Sequence, residues 1–318
     1  MVYVAWKRYR SSYNWTEVVE DIMPTEALRK IGAVGWDVDR VWYPGISTSF
    51  CAESSRADPK LYLAEFVEKG WFGKDDVNRW MQSTGNAMAT VADLAMCLTD
   101  FFYRMKKPGS SEPVITKEQI VAGKQHLLKG MNMREVIDIA EKTPLTQGLF
   151  GAVEVFDSAS LHQAAFSDGL YPFVVYICRA VGIDYVEGVP CYVCTPDSGQ
   201  AVNEMLFTPE MVKNDKIVLA GKVGKFDKAW ALFEHMKSLG YDPRSLAVID
   251  DSASSINTIL RPIRDAGGIA IGFNPTEEHM PAFKAASIPV LKQEKPDLEP
   301  FKDIVMDPRD TVIGKYCV

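Results

Sequence analysis

Carboxylates follow two apolar runs of the sequence that are typical of buried strands. Asp37 and Asp39 come directly after the run IGAVGW, and Asp250 and Asp251 come directly after SLAVI. Because two carboxylates this close repel each other, one tends to stay ionised while the other keeps its proton. Such a pair can provide both a proton acceptor and a proton donor, which general acid–base catalysis requires.

Two further groups of polar residues lie next to predicted elements. Ser167, Asp168 and Gly169 follow the predicted strand SLHQAAF, and the segment GKVGK, with Lys222 and Lys225, precedes a predicted helix. Taken singly, Ser-Asp-Gly is typical of a helix cap and a lysine before a helix is typical of a solvated surface. The joint placement of four such groups, in order along one chain, indicates a shared site.

The elements that would position these groups alternate between strand and helix after about residue 146. Alternation of this kind predicts an α/β fold, a Rossmann-like three-layer core in which helices cover both faces of a parallel sheet. The segments PCYVC and AVNEMLF flank a Pro-Asp-Ser-Gly turn and resemble a hairpin. Since ligands bind at the carboxyl ends of parallel strands, we expect the polar groups to meet at one edge of the sheet.

The four groups together resemble the motifs of the haloacid dehalogenase (HAD) superfamily. The stretch Asp37-Val-Asp-Arg-Val41 matches its first motif, DxDx(T/V), and Ser167 matches the second. Lys225 matches the third, with Lys222 as the competing register, and the acidic pair Asp250-Asp251 matches the fourth. The resemblance covers roughly residues 31–45 and 130–290, and it is closest to the phosphoserine-phosphatase-like branch and related archaeal hydrolases.

This resemblance implies roles for the acidic residues. Asp37 would be the nucleophile that forms an aspartyl-phosphate, and Asp39 the general acid and base. Mg²⁺ would be held by the Asp37 carboxylate, the backbone carbonyl of Asp39 and Asp250, with Asp251 as a second ligand or an outer partner. We expect Arg40 to point away from the site, because side chains alternate along a strand.

The resemblance also implies a phosphate-binding set and a domain arrangement. The phosphoryl oxygens would be bound by the Ser167 hydroxyl, the backbone N–H groups around Asp168 and Gly169, and the Lys225 ammonium. The largely helical segment between the first two motifs would be a C1-type cap that closes over the site. The predicted boundaries are an N-terminal arm at 1–30, the HAD-like core at 31–45 and 146–318, and the inserted helical cap at 46–145.

The implied function is a Mg²⁺-dependent phosphatase that hydrolyses a small phosphomonoester, such as a phosphorylated metabolite. Phosphoserine itself is disfavoured, because the stretch WYPGISTSF after the first motif contains no acid before Glu53 that could hold an amino group. The fourth motif, DDSAS, also departs from the Gly-Asp of the nearest branch. A phosphotransferase or mutase of the same fold, or a non-catalytic HAD-fold binding or assembly protein, stays open as an alternative.

Composition and spacing exclude several other classes of function. The 318-residue chain has a net charge of −7 and no block of Lys and Arg, which argues against nucleic-acid or membrane binding through a basic face. Six scattered cysteines favour a reducing, cytoplasmic location. The pair Cys191 and Cys194 has no second pair to complete a zinc site. A P-loop fails because Leu219 and Phe226 stand where glycine and a hydroxyl are required.

The sequence leaves the oligomeric state open. Tyrosines, tryptophans and arginines are concentrated in the first 15 residues. An arm of this composition is expected to pack its aromatic rings on the domain or on a second copy of the chain. If a homo-oligomer forms, the N-terminal arm or the cap is therefore its expected contact.

Overall fold

The strands that the structure describes form one parallel sheet. The computed structural model describes residues 31–54, 133–167, 171–183, 191–193 and 228–318, together with Gly169, a few residues between 64 and 75, and residues 109–111. The order of the six strands in this part of the chain is β3-β2-β1-β4-β5-β6. They are β1 (Ala33–Trp36), β2 (His162–Ser167), β3 (Cys191–Val193), β4 (Leu246–Asp250), β5 (Ile269–Phe273) and β6 (Val290–Leu291).

Helices connect the strands and flank the sheet. The α-helices of the described residues are α1 (Ser47–Glu53), α2 (Met133–Lys142), α3 (Leu149–Ser158), α4 (Tyr171–Ala180), α5 (Lys228–Ser238), α6 (Arg261–Ala266), α7 (Met280–Ala285), α8 (Pro300–Met306) and α9 (Asp310–Tyr316). Two of them, α1 and α2, belong to the segment 46–145 that was predicted as a cap. Cys51 and Ala52 of α1 are buried in the same apolar cluster as one face of the sheet.

The sheet separates two apolar cores, as expected for three layers. Side chains of a strand point alternately to opposite faces, so Val34 and Trp36 of β1 lie in one core while Ala33 lies in the other. The first core contains residues of α2, α3, α4 and α8, and the second contains residues of α5, α6 and α7. The predicted α/β fold with helices on both faces of a parallel sheet is confirmed.

The strand order reverses direction beside β1, and this fixes where a ligand can bind. The chain proceeds outward from β1 through β2 to β3, and β4 then returns to the other side of β1 before β5 and β6. Crevices at such a switch point, outside the carboxyl ends of the strands, are the usual ligand sites of open parallel sheets. The parallel register pairs Trp36 with Ile249. The residues that follow these two are Asp37 and Asp250.

One predicted helix is broken, and one predicted hairpin lies only partly within the described residues. The predicted helix SINTILRPIRDAG consists of a 3₁₀ turn (Ala253–Ser255), a π-helical turn (Ile256–Leu260) and α6. Pro262 accounts for the break, because proline has no N–H to donate and its ring displaces the carbonyl four residues earlier. Of the predicted hairpin, Cys191–Val193 pairs in parallel with β2, whereas Cys194 and AVNEMLF lie outside the described residues.

The remaining predictions of organisation are not tested by these elements. The arm at 1–30, most of the segment 46–145 and the predicted strand KIVLAG lie outside the described residues. The domain boundaries therefore stay predictions. In the part of the chain that is described, no helix has both the length and the apolar composition needed to span a bilayer.

Two histidines connect the strand of the second motif with helix α5. His162 begins β2, and its Nε2 lies 3.0 Å from Nε2 of His235. The ring of Tyr241 stacks on His162 with centroids 6.0 Å apart. A hydrogen bond between two imidazoles requires one ring nitrogen to donate and the other to accept. Burial lowers the pKa of His162, and burial together with His162 lowers the pKa of His235 to about 4.

This pair predicts a loss of stability in mild acid. In the unfolded chain both histidines gain protons below about pH 6.5, whereas the folded pair resists protonation until lower pH, so stability falls as the pH decreases from about 6.5 towards 4. We expect the free energy of unfolding to drop by on the order of 1 kcal/mol more in the natural chain than in a His162→Gln/His235→Gln variant between about pH 7 and about pH 5. Urea unfolding at both pH values measures this difference, and equal drops would contradict it.

Candidate active site

Asp37 lies at the carboxyl end of the central strand β1. Its N–H donates to the Ile249 carbonyl over 3.0 Å, so strand pairing continues one residue beyond the end of β1. The N–H of Val38 donates to Oδ1 of Asp37 over 2.9 Å. The side chain is almost fully buried, since Asp37 is only 6% exposed. The backbone thus fixes Asp37 beside the end of β4.

Asp37, Asp250 and Asp251 form a buried acidic cluster. One carboxylate oxygen from each residue can be chosen so that all three lie within 4.8 Å of one another. The N–H of Ser252 donates to Oδ1 of Asp250 over 2.8 Å and helps to orient that carboxylate. Two unit charges about 4 Å apart repel by about 4 kcal/mol at an effective dielectric constant of about 20. Positive charge close to this cluster would offset repulsion of this size.

Arg40 supplies part of that compensation, and the prediction that it points away from the site is wrong. One of its guanidinium nitrogens lies 3.6 Å from Oδ2 of Asp251. β1 ends at Trp36, and Arg40 has a φ of 65°, in the left-handed region. The alternation of side chains that applies within a strand no longer holds there. The guanidinium therefore reaches the acidic cluster.

Asp39 is hydrogen-bonded within its own loop. Its Oδ1 accepts a hydrogen bond from the Tyr43 hydroxyl and another, of 3.0 Å, from the N–H of Ser47. The loop closes through the N–H of Arg40, which donates to the Gly45 carbonyl over 2.7 Å. The two aspartates of the first motif thus lie in different surroundings. This separation suits two different chemical roles.

Ser167 lies at the end of β2, where the resemblance places the phosphate-binding hydroxyl. It is fully buried, and its Oγ accepts the Gly169 N–H over 2.9 Å, which leaves the hydroxyl proton for donation. A Cβ added to Gly169 would lie 2.9 Å from the Oγ atoms of both Ser167 and Ser47. A larger residue here would therefore displace at least one of these hydroxyls. The other predicted phosphate-binding residues, Asp168 and Lys225, lie outside the described residues, as does Lys222.

Three residues near this site were not predicted from the sequence as part of it. Arg40 contacts Asp251, while Tyr43 and Ser47 contact Asp39. A usable signal was present in the stretch WYPGISTS, where Pro44-Gly45 predicts a turn and the Ser-Thr-Ser run begins a helix. A turn this close to Asp39 returns the chain to it. The polar residues after the turn could therefore have been proposed as its partners.

The acidic cluster fits a divalent cation by its chemistry. All three donors are carboxylate oxygens, which Mg²⁺ prefers, and their spacing allows a single ion to contact all of them. A softer metal would favour sulfur or imidazole ligands, which are not part of this group of described residues. Asp37, Asp250 and Asp251 are therefore the residues that would hold Mg²⁺.

Comparison with known proteins finds similarity at the level of solved structures. No protein-family profile and no curated protein sequence matches the chain. A phosphoserine phosphatase in its apo form is 14% identical, with a TM-score of 0.47 and coverage of 87% of this chain and 98% of that one. A HAD-family hydrolase from Salmonella enterica serovar Typhi is 11% identical, with a TM-score of 0.47 and coverage of 89% and 74%.

A gene product of Archaeoglobus fulgidus is also similar, at 14% identity, with a TM-score of 0.48 and coverage of 89% of this chain and 86% of that one.

The acidic cluster predicts a stabilising effect of Mg²⁺. Binding to the folded chain alone should raise the midpoint of thermal unfolding by about 4 °C when free Mg²⁺ exceeds its dissociation constant about 100-fold. In Asp250→Asn most of this shift should be lost, because one anionic ligand is removed. Differential scanning calorimetry with and without Mg²⁺ measures the shift, and Asp157→Asn, an exposed acid on α3, is the matched control. A full shift in Asp250→Asn would contradict the metal site.

Replacing Arg40 should enlarge the Mg²⁺-induced shift of the unfolding midpoint, whereas Asp250→Asn should reduce it. Arg40→Gln removes the cation that partly offsets the repulsion around Asp251, so the unfolding midpoint without Mg²⁺ should fall. Because Mg²⁺ then relieves more repulsion than in the natural chain, the shift on adding Mg²⁺ should be larger. Calorimetry of the two chains side by side tests this expectation. A smaller shift in Arg40→Gln would mean that Arg40 supports metal binding rather than competing with it.

Proposed function

We propose that the chain is a HAD-superfamily phosphatase that hydrolyses a small phosphomonoester through an aspartyl-phosphate on Asp37. The observation that carries this proposal is the acidic cluster at the switch point of the sheet, beside Ser167 and the separately held Asp39. A carboxylate can attack a phosphate dianion only where positive charge reduces their repulsion. Bound Mg²⁺ would supply that charge.

The first half of the reaction follows from the positions of three side chains. Asp37 is fixed by the hydrogen bond from Val38, and one of its oxygens would form the bond to phosphorus. The Ser167 hydroxyl would donate to a phosphoryl oxygen and so stabilise charge on the transferring group. As the ester bond breaks, Asp39 would give a proton to the departing alcohol oxygen.

The second half returns the chain to its starting state. Asp39, now ionised, would take a proton from a water molecule, whose oxygen attacks phosphorus while the bond to Asp37 breaks. Inorganic phosphate is released and both aspartates recover their first forms. Arg40 would stay paired with Asp251 and partly offset the negative charge around the reacting phosphate. Lys225 is proposed as the cation that binds the phosphate, in line with the third motif.

The substrate class is proposed from the chemistry of the site. One nucleophile and one acid suit a phosphate monoester rather than a diester, in which the second ester group would need its own recognition. Phosphoserine is disfavoured, since no acid lies between Asp39 and Glu53. A panel of sugar, alcohol and nucleotide monophosphates would identify the substrate.

The central test compares phosphate release by the natural chain and Asp37→Asn. We expect Mg²⁺-dependent release of phosphate from at least one substrate of the panel, and a loss of about 10³-fold or more in kcat for Asp37→Asn, because an amide cannot act as the nucleophile. Asp157→Asn should behave as the natural chain does. A malachite green assay with Mg²⁺ or with EDTA measures release, and activity that survives either EDTA or the Asp37 change would overturn the proposal.

A further inference from the structure

A buried tyrosine holds the carboxylate of Asp39. The Tyr43 hydroxyl and the Ser47 N–H both donate to the same oxygen, Oδ1. Tyr43 is fully buried, and a side-chain hydrogen bond also links it to Ser47. Two donors on one oxygen therefore fix the plane of the Asp39 carboxylate.

Aromatic packing fixes the tyrosine in turn. The Tyr43 ring meets Phe173 of α4 edge to face, with centroids 5.2 Å apart, and meets Phe50 of α1 in the same way at 5.9 Å. A Cβ on Gly45 would lie 2.7 Å from the Phe50 ring, so glycine allows the close packing of this loop. Burial, and then the Asp39 charge, raise the pKa of Tyr43 well above its usual value, which keeps its proton available for donation.

We propose that Tyr43 is a positioning residue for the general acid and base, and that it assigns separate tasks to the two oxygens of Asp39. Oδ1 accepts the Tyr43 and Ser47 hydrogen bonds, and Oδ2 carries the transferable proton. This inference rests on the proposed function. When the ester P–O bond breaks and the Asp37–P bond forms, the proton moves from Oδ2 to the leaving oxygen. When water attacks and the Asp37–P bond breaks, Oδ2 takes a proton from that water.

If Tyr43 positions Asp39 as the acid, the effect of losing the Tyr43 hydroxyl should depend on the leaving group. An alkoxide is a poor leaving group and needs the proton from Asp39, whereas 4-nitrophenolate leaves without one. Loss of the Tyr43 hydroxyl should therefore slow the release of an alcohol and spare the release of 4-nitrophenol. A structural disturbance of the pocket would slow both releases alike. The ratio of the two rates thus separates positioning of Asp39 from general damage.

The experiment compares Tyr43→Phe with the natural chain in single turnovers with Mg²⁺ and enzyme in excess. The substrates are the best alkyl phosphate of the panel and 4-nitrophenyl phosphate. We expect alcohol release to slow by about 10- to 100-fold and 4-nitrophenol release to change by less than about 3-fold. Asp39→Asn should show the same dependence with a larger loss. Tyr176→Phe, which removes a partly buried hydroxyl from the same helix as Phe173, should match the natural chain.

The possible outcomes distinguish a failure of the Tyr43 positioning role from a failure of the proposed phosphatase function. If Tyr43→Phe slows both releases equally, or neither, while the natural chain releases both groups, the positioning role of Tyr43 is overturned and the proposed function stands. If the natural chain releases neither group from any phosphate, the proposed function is overturned and this inference with it. Thermal unfolding of each variant detects misfolding. Should Tyr43→Phe not fold, Ser47→Pro replaces it, because it removes the other donor to Oδ1 at the first position of α1, where proline is tolerated. An equal loss of both releases in Ser47→Pro would then overturn the assignment of the two oxygens.

Discussion

The site depends on the repulsion between three carboxylates that the sheet register forces together. Asp37 and Asp250 follow residues that pair directly in the parallel ladder between β1 and β4, and Asp251 is the next residue of the chain. The side chains are almost completely buried, so water cannot screen them as it screens surface charges. Burying ionised carboxylates together is costly unless positive charge lies nearby, and a bound cation would reduce that cost.

The loop from Asp39 to Ser47 resolves a second problem, which is how two nearby aspartates can perform different tasks. Asp37 belongs to the acidic cluster, whereas the Asp39 carboxylate accepts hydrogen bonds from the Tyr43 hydroxyl and the Ser47 N–H. The left-handed backbone at Arg40 turns the chain directly after Asp39. Backbone strain of this kind tends to persist where the surrounding structure makes use of it, and here the turn also brings the guanidinium onto Asp251. One tight loop thus sets the surroundings of both aspartates.

The sequence was most informative where local pattern and global fold coincide. The apolar runs of β1, β2 and β4, each followed by a polar residue, predicted the central strands and the edge at which Asp37, Ser167 and Asp250 lie. Once the strands are taken to be parallel, their carboxyl ends must lie at the same edge of the sheet. The left-handed turn at Arg40 and the contact between Tyr43 and Asp39 were not predictable in this way. They depend on a single loop conformation that no periodicity encodes, and the π-helical turn before Pro262 is a similar local effect.

The central claim is that Asp37 becomes covalently phosphorylated, and rapid acid quench during turnover tests it most directly. The natural chain is mixed with its best phosphate ester and Mg²⁺, quenched within milliseconds, digested and examined by mass spectrometry. The account predicts one phosphoryl group on the peptide that contains Asp37, and its disappearance once the substrate is consumed. Rapid turnover without any phosphorylated peptide, or a phosphoryl group on a different residue, would contradict the account.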